Sequence, residues 1–360
     1  MRRLVLAGVL MIACSCDVTI TPGPAAATVS PSHGTASASP SPGSAPTLAV
    51  ITGPTGTLRL AGSDGTVRAT TTYEVAPFRP HRFMSWTSVS LTTLYYLNGG
   101  SEVRFLKPDG TTGSATRIAV GAGEQAGFAV DPTDRRIAVA VFAYTPAPAD
   151  SQGVAQPTYK GMRLYVEDLQ GGGHRVDIFS SATVAEFPIG WATGNVILAV
   201  STPFCCQAQT LNPYAASSYH VAKPENGDRL ASLCENSSGP SGPIEPVGTM
   251  CIEHNDGPTF RHWDGSPFPP PSAVQISVQY LNAISPDGTR AAVGGEPIQI
   301  QTHLNDRLPV SGYVFGWLDR DHLVFQRPGA ATLSVFDLTS RSSTDLPGAE
   351  YLGFFPGWLS

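Results

Sequence analysis

From about residue 47 onward, apolar and polar residues alternate in short runs with a period of two. Thr93-Leu-Tyr-Tyr-Leu, Glu102-Val-Arg-Phe-Leu and Ala115-Thr-Arg-Ile-Ala-Val follow one another, separated by Asn98-Gly-Gly and by Lys107-Pro-Asp-Gly110. Ile137-Ala-Val-Ala-Val-Phe, Met162-Arg-Leu-Tyr-Val-Glu-Asp and His174-Arg-Val-Asp-Ile-Phe form a second such series, with Gly171-Gly-Gly before the last run. Side chains on a strand point alternately to its two faces, so this pattern predicts strands with one face buried, joined by hairpins at the Gly, Pro and Asp punctuation. Almost no 3.6-residue apolar periodicity appears outside the first fifteen positions. The expected fold class is all-β.

A longer repeat is laid over the alternation. Gly127-Phe-Ala-Val-Asp-Pro-Thr-Asp, Gly190-Trp-Ala-Thr-Gly-Asn, Asn282-Ala-Ile-Ser-Pro-Asp-Gly, Gly316-Trp-Leu-Asp-Arg-Asp and Gly357-Trp-Leu-Ser each step from an apolar residue into a polar turn. With Trp86 as the first anchor and Thr249 as a degenerate one for the fifth unit, the six intervals from Trp86 to Trp358 average about 45 residues, the length of a propeller blade. Thr145 to Pro157 reads as a loop insertion in one unit. The repeat predicts a β-propeller over residues 47–360, seven-bladed, with six or eight blades as alternatives because the stretch from 203 to 280 is irregular. Glu350 to Ser360 supplies a single strand. Leu48-Ala-Val-Ile, Thr57-Leu-Arg-Leu and Val67-Arg-Ala-Thr-Thr-Thr-Tyr supply three. One closing blade shared by both termini is therefore expected, which leaves no open sheet edge.

Ser285-Pro-Asp-Gly-Thr-Arg-Ala-Ala-Val-Gly and Asp131-Pro-Thr-Asp-Arg-Arg-Ile-Ala-Val-Ala resemble the Ser-Pro-Asp-Gly repeats of TolB-like propellers. The resemblance implies a fold and carries no activity. Trp263-Asp264 matches the dipeptide of the WD family once, out of register with the anchors.

The first sixteen residues change the picture. Arg2-Arg3 precede a ten-residue apolar run, Leu4 to Ala13, too short to span a bilayer. Met11-Ile-Ala-Cys14 at its end resembles the lipobox of bacterial lipoproteins, which implies acylation of Cys14, with Cys16 as the alternative; a plain secretory peptide cleaved after Ala27 is the competing reading. Residues 17–46 follow, of which twenty-five of thirty are Pro, Ser, Ala, Gly or Thr. Such a stretch has too little apolar surface to order and reads as a tether. The expected location is the outer side of the cytoplasmic membrane or the periplasm, with a lipid holding the chain to the membrane.

Charged residues make up 14% of the chain and the net charge is −6. Only three lysines occur and the arginines are scattered, so nucleic acid is disfavoured as a partner, because phosphate neutralisation needs a basic face. Beyond the signal region stand Cys205, Cys206, Cys234 and Cys251, and an exported chain would oxidise them to two disulfides. A 205–206 bridge would be a strained ring, so the expected pairs join Cys205 and Cys206 to Cys234 and Cys251.

No motif commits the chain to chemistry. Gly-x-Ser-x-Gly, a P-loop and His-Glu-x-x-His are absent. His254-Asn-Asp256-Gly and His262-Trp-Asp264 form the densest polar group, read mainly as solvated turn residues. Asp109, Asp131, Asp287 and Asp319 sit in turns, where Asp satisfies backbone donors; a ring of carboxylates holding calcium is their functional alternative. Trp86, Trp191, Trp317 and Trp358 are expected to pack between blades, with stacking platforms at the funnel mouth as the alternative. No cofactor, metal or catalytic residue is assigned. The expected function is that of a non-catalytic binding or scaffolding module whose propeller face takes a protein, peptide or glycan. A propeller hydrolase or lactonase, or an accessory lipoprotein of a sensor or secretion system, are the alternatives.

Overall fold

The computed structural model describes residues 47–53, 56–76, 85–145, 158–201, 218–235, 237–240, 245–253, 257–269, 282–301 and 306–355. The expected signal region with Cys14 and Cys16, the expected tether, residues 146–157 of the expected insertion, Cys205, Cys206, Asn236, His254, Asp256 and Trp358 lie outside the described residues. Among those described there is no helix.

Among the described residues, seven antiparallel sheets follow one another along the chain. β1 (Leu48–Gly53), β2 (Thr57–Ala61) and β3 (Val67–Thr72) open the first sheet. β4 (Thr87–Val89), β5 (Leu94–Asn98), β6 (Glu102–Leu106) and β7 (Thr112–Arg117) make the second. The third holds β8 (Glu124–Val130), β9 (Arg136–Thr145), β10 (Thr158–Asp168) and β11 (Val176–Ser181). β12 (Ala185–Ala192), β13 (Asn195–Ser201), β14 (Ser218–Ala222) and β15 (Arg229–Leu233) make the fourth. Three strands are described in the fifth, β16 (Ser237–Pro240), β17 (Thr249–Glu253) and β18 (Gly257–Arg261). The sixth holds β19 (Asn282–Ile284), β20 (Ala291–Val293), β21 (Gln299–Gln301) and β22 (Asp306–Arg307). The seventh holds β23 (Tyr313–Trp317), β24 (His322–Gln326), β25 (Ser334–Asp337) and β26 (Ser342–Asp345). The last strand, β27 (Glu350–Phe355), returns to the start of the chain and pairs with β1, so the first sheet runs β27-β1-β2-β3.

Each sheet is thus an up-and-down meander, and the first strands of neighbouring sheets lie side by side: β27 beside β4, β4 beside β8, β8 beside β12, β19 beside β23, and β23 beside β27. Meanders stacked by their first strands are the blades of a β-propeller. The burial pattern follows the same order. Second strands such as β5, β9 and β24 are almost wholly buried because a sheet covers each face, so they read as continuous apolar runs. Fourth strands such as β3, β7 and β26 are largely exposed and polar. Pairing of β1 with β27 extends from Leu48↔Phe355 to Thr52↔Glu350, with a bulge at Val50/Ile51.

Two expectations are corrected. Thr249 does not anchor the fifth unit; it begins β17, the second strand of its sheet, and Glu245-Pro-Val-Gly248 forms the preceding turn. The disulfide joins Cys234 to Cys251, with Cα atoms 5.1 Å apart. The pairing of these two with Cys205 and Cys206 is therefore overturned. Cys234 follows β15 and Cys251 lies on β17, so the adjacent fourth and fifth sheets bring the two sulfurs together, an arrangement spacing alone does not reveal. Closing a separation of 17 residues restricts the unfolded chain by about 3 kcal/mol.

Candidate functional site

The meander sends alternate connections to opposite ends of each sheet. The turns between first and second strands, and between third and fourth, share one end; the connections between sheets, and those between second and third strands, share the other.

All four turn aspartates lie at the first end, and each is spent on its own turn. Asp109 accepts the Thr111 amide at 2.8 Å. In Ser285-Pro-Asp-Gly288 the Ser285 hydroxyl accepts the Arg290 amide at 3.0 Å and donates to Asp287 at 2.6 Å, while Asp287 takes the Thr289 amide at 3.0 Å. Gly288 closes the turn with φ of 71°, a conformation glycine adopts without cost. In the variant Asp131-Pro-Thr-Asp134, Asp131 replaces the serine and accepts the Arg135 and Arg136 amides at 2.7 and 3.2 Å. Asp134 occupies the glycine position with φ of 59°. It then reaches the second sheet, accepting from Thr92 at 2.5 Å and Tyr95 at 3.0 Å. Asp319 accepts the Asp321 and His322 amides and faces His322 Nδ1 at 2.9 Å. Burial acts to raise the Asp319 carboxyl, but these donors outweigh it and hold it below its ordinary value; the same hydrogen bond raises His322.

The tryptophans divide into two kinds. Trp191 and Trp317 close the first strands of their sheets, are 2% and 0% exposed, and donate Nε1–H to the first strand of the preceding or neighbouring sheet, to Ala129 O at 3.1 Å and Ala283 O at 3.2 Å. They pack between blades as expected. Trp86 does not share that position: Val89 pairs with Leu94 where Trp317 pairs with Leu323, which places Trp86 before β4, at the other end of the sheets. Of the polar group near residue 260, His262 Nδ1 bonds Val247 O at 2.9 Å and its ring lies 4.6 Å from Phe268. Asp264 caps Ser266 at 2.8 Å. Both are turn residues with local partners.

The end that carries Trp86 holds a cleft of about 250 Å³. Three bland connections contribute to it: Tyr73 to Ala76 together with Trp86, the Gly99-Gly100 turn, and Val120 to Ala126. The Tyr73 and Trp86 rings lie 4.6 Å apart with planes 37° from parallel, and Leu97, Val120 and Ala126 extend this apolar wall. Backbone bonds fix the frame. Tyr73 N donates to Gly56 O at 2.8 Å, Leu97 N to Trp86 O at 2.9 Å, Gly99 N to Glu74 O at 2.9 Å and Phe128 N to Ser85 O at 3.2 Å. On the rim, Arg163 grips Glu124 through two nitrogens at 2.6 and 2.9 Å, and Gly121 N adds a third donor at 2.7 Å. The Arg163 bond, against the opposing pull of burial, holds the Glu124 carboxyl below its usual range. A rigid aromatic wall beside a fixed carboxylate and the buried Gln125 amide is equipped to bind a ligand with an apolar face and polar edges. Of these residues only Trp86 stood out in the sequence; Tyr73 was the tail of a strand.

Other ionisable groups are buried as well. Glu186 and His220 are 1% and 5% exposed; Glu186 bonds Arg229, and His220 lies 3.3 Å from Glu186 and 3.4 Å from Glu235. Arg229 thus offsets Glu186 within the fourth sheet, and the His220 ring lies between the Glu186 and Glu235 carboxylates. Glu245 is 2% exposed, and burial raises its carboxyl well above the ordinary value; among the described residues, its Oε2 and Thr249 Oγ1 have no hydrogen-bond partner. Among the described residues, no three His, Cys, Asp or Glu side chains are placed to hold a metal ion.

No family model and no curated protein matches this chain. Solved structures do resemble it. Apo AztD from Citrobacter koseri is 11% identical with a TM-score of 0.43, over 86% of this chain and 97% of that one. TolB from Acinetobacter baumannii is 11% identical with a TM-score of 0.39, over 86% and 65%. An oligogalacturonate lyase in complex with manganese is 11% identical with a TM-score of 0.33, over 72% and 63%.

Proposed function

We propose that this chain is an extracytoplasmic, lipid-anchored, seven-bladed β-propeller that binds a glycan or peptide without transforming it, at the Tyr73–Trp86 cleft. The observation that carries the reading is the placement of two closely packed, tilted aromatic rings at the end of the sheets formed by the longer inter-sheet connections. Propeller function resides in such loops and not in the fold. The seven sheets and the β27–β1 closure support the blade count. The Cys234–Cys251 bridge supports an oxidising compartment, and the short apolar run ending at Cys14 supports acylation there, with residues 17–46 as the spacer. No catalytic step is assigned, since the turn carboxylates are each consumed by backbone amides of their own turns.

The full-length protein in mild detergent, screened on glycan and peptide arrays, is expected to give hits that Tyr73→Ala and Trp86→Ala each weaken about tenfold, the loss of one aromatic stacking contact of about 1 kcal/mol or more. Hits unaffected by both substitutions would remove the cleft from the reading, and a wild-type protein without hits would remove glycan and peptide binding. Replacing Cys14 and Cys16 together is expected to move the protein from the membrane to the soluble fraction, because a ten-residue apolar run cannot hold it there. Retention of that variant after a high-salt wash would contradict the lipid anchor.

A further inference from the structure

A second cleft, of about 420 Å³, opens between the second and third sheets and shares no lining residue with the aromatic cleft. Three alternate residues of β10 face this seam. Arg163 is bound to Glu124. Tyr165, 2% exposed, carries the Arg175 guanidinium 3.7 Å above its ring. Glu167 is only 8% exposed, yet its carboxylate makes no hydrogen bond or ion pair among the described residues. Arg175 forms no direct pair with it; its Nε and one Nη are both held by Asp177 at 2.9 and 2.8 Å. Gly172 borders the carboxylate; a methyl group there would stand 3.6 Å from an Oε atom. Burial, partly offset by the field of Arg175, holds the Glu167 carboxyl above its ordinary value.

Across the cleft stands Arg117, at the end of β7. Its guanidinium also makes no hydrogen bond or ion pair among the described residues. A carboxylate on a largely buried side chain that opens only to the cleft and has no protein donor gains when a ligand cation supplies donors. An open guanidinium recognises a carboxylate through two parallel hydrogen bonds. We propose that this cleft binds a small zwitterion of the α-amino-acid class, its ammonium on Glu167 and its carboxylate on Arg117. The site is independent of the aromatic cleft.

The test is calorimetric titration of the full-length protein with L-alanine, and with ethylamine and propionate, which each carry one of its two charges. L-alanine is expected to bind saturably, and each single-charge probe about tenfold more weakly or worse, since a charge-assisted contact is lost each time. Glu167→Gln, close to isosteric, should weaken L-alanine about tenfold and leave propionate unchanged. Arg117→Ala, at an exposed strand position that tolerates substitution, should weaken L-alanine and leave ethylamine unchanged. Trp86→Ala should bind L-alanine as the wild type does. The proposal is overturned if L-alanine does not saturate, if ethylamine or propionate binds as tightly as L-alanine, or if neither Arg117→Ala nor Glu167→Gln weakens it.

Discussion

Trp317→Ala is expected to lower the stability of the propeller by about 3–5 kcal/mol, the range for deleting a fully buried large aromatic side chain. The indole is 0% exposed, between the sixth and seventh sheets, among Ala283, Ile300, Leu323 and Phe325. No exposed face lets the neighbours collapse into the space left behind. Its removal also strips Ala283 O of the Nε1–H donor 3.2 Å away, and an unsatisfied buried carbonyl costs about 1–3 kcal/mol. Trp317→Phe keeps part of the packing and loses the donor, so its cost should fall between wild type and Trp317→Ala. Trp86→Ala, at the half-buried cleft, should cost less than half as much as Trp317→Ala. Urea midpoints at constant m-value measure all three. Equal losses at Trp86 and Trp317 would contradict the assignment of one to the ligand cleft and the other to the packing between blades. Against a typical total of about 5–15 kcal/mol, the Trp317 loss approaches unfolding.

Much of this architecture was legible because its physical cause is local. Alternation in Glu102-Val-Arg-Phe-Leu, Pro-Asp-Gly punctuation and the Ser285-Pro-Asp-Gly turn each encode a strand or hairpin through a few neighbouring residues. The single strand at one end of the chain and the three at the other were legible for the same reason, as a count of alternating runs. Register was less accessible. Trp86 and Trp317 each sit near an inner strand, but a displacement of three residues carries Trp86 to the opposite end of the sheet, and spacing averaged over 45 residues does not resolve that. Thr249 was misplaced by a similar slip, because the turn before it, Glu245-Pro-Val-Gly, lacks the aspartate or serine that marks its counterparts.

Features made by neighbouring sheets were not legible. The Cys234–Cys251 bridge depends on which strands of the fourth and fifth sheets adjoin. The aromatic cleft gathers residues from three connections, none remarkable in composition. Glu167 reads as the polar member of an alternating run, Tyr165-Val-Glu-Asp, and alternation normally sends such a residue to water. It is buried because the second sheet covers that face of β10.

The central claim is that both ends of the chain complete one blade and thereby close the ring. β27 pairs with β1 along its length, and Ala49, Val50 and Ile51 of β1 are 0% exposed only because β27 and its neighbours cover them. Tyr351 of β27 also donates its hydroxyl to Trp317 O at 2.8 Å and packs with Leu318 and Val324 of the seventh sheet. Deleting Glu350 to Ser360 therefore strips an inner strand from the first sheet, exposes a strand edge on β1 and opens the seam with the seventh sheet. The decisive measurement is thermal denaturation of this truncated chain beside the full-length protein. The predicted result is loss of the cooperative transition, since the forfeited burial exceeds roughly 5 kcal/mol, the lower end of a domain's whole stability. A cooperative melt within a few degrees of the full-length protein would contradict the closed ring and make β27 a peripheral strand.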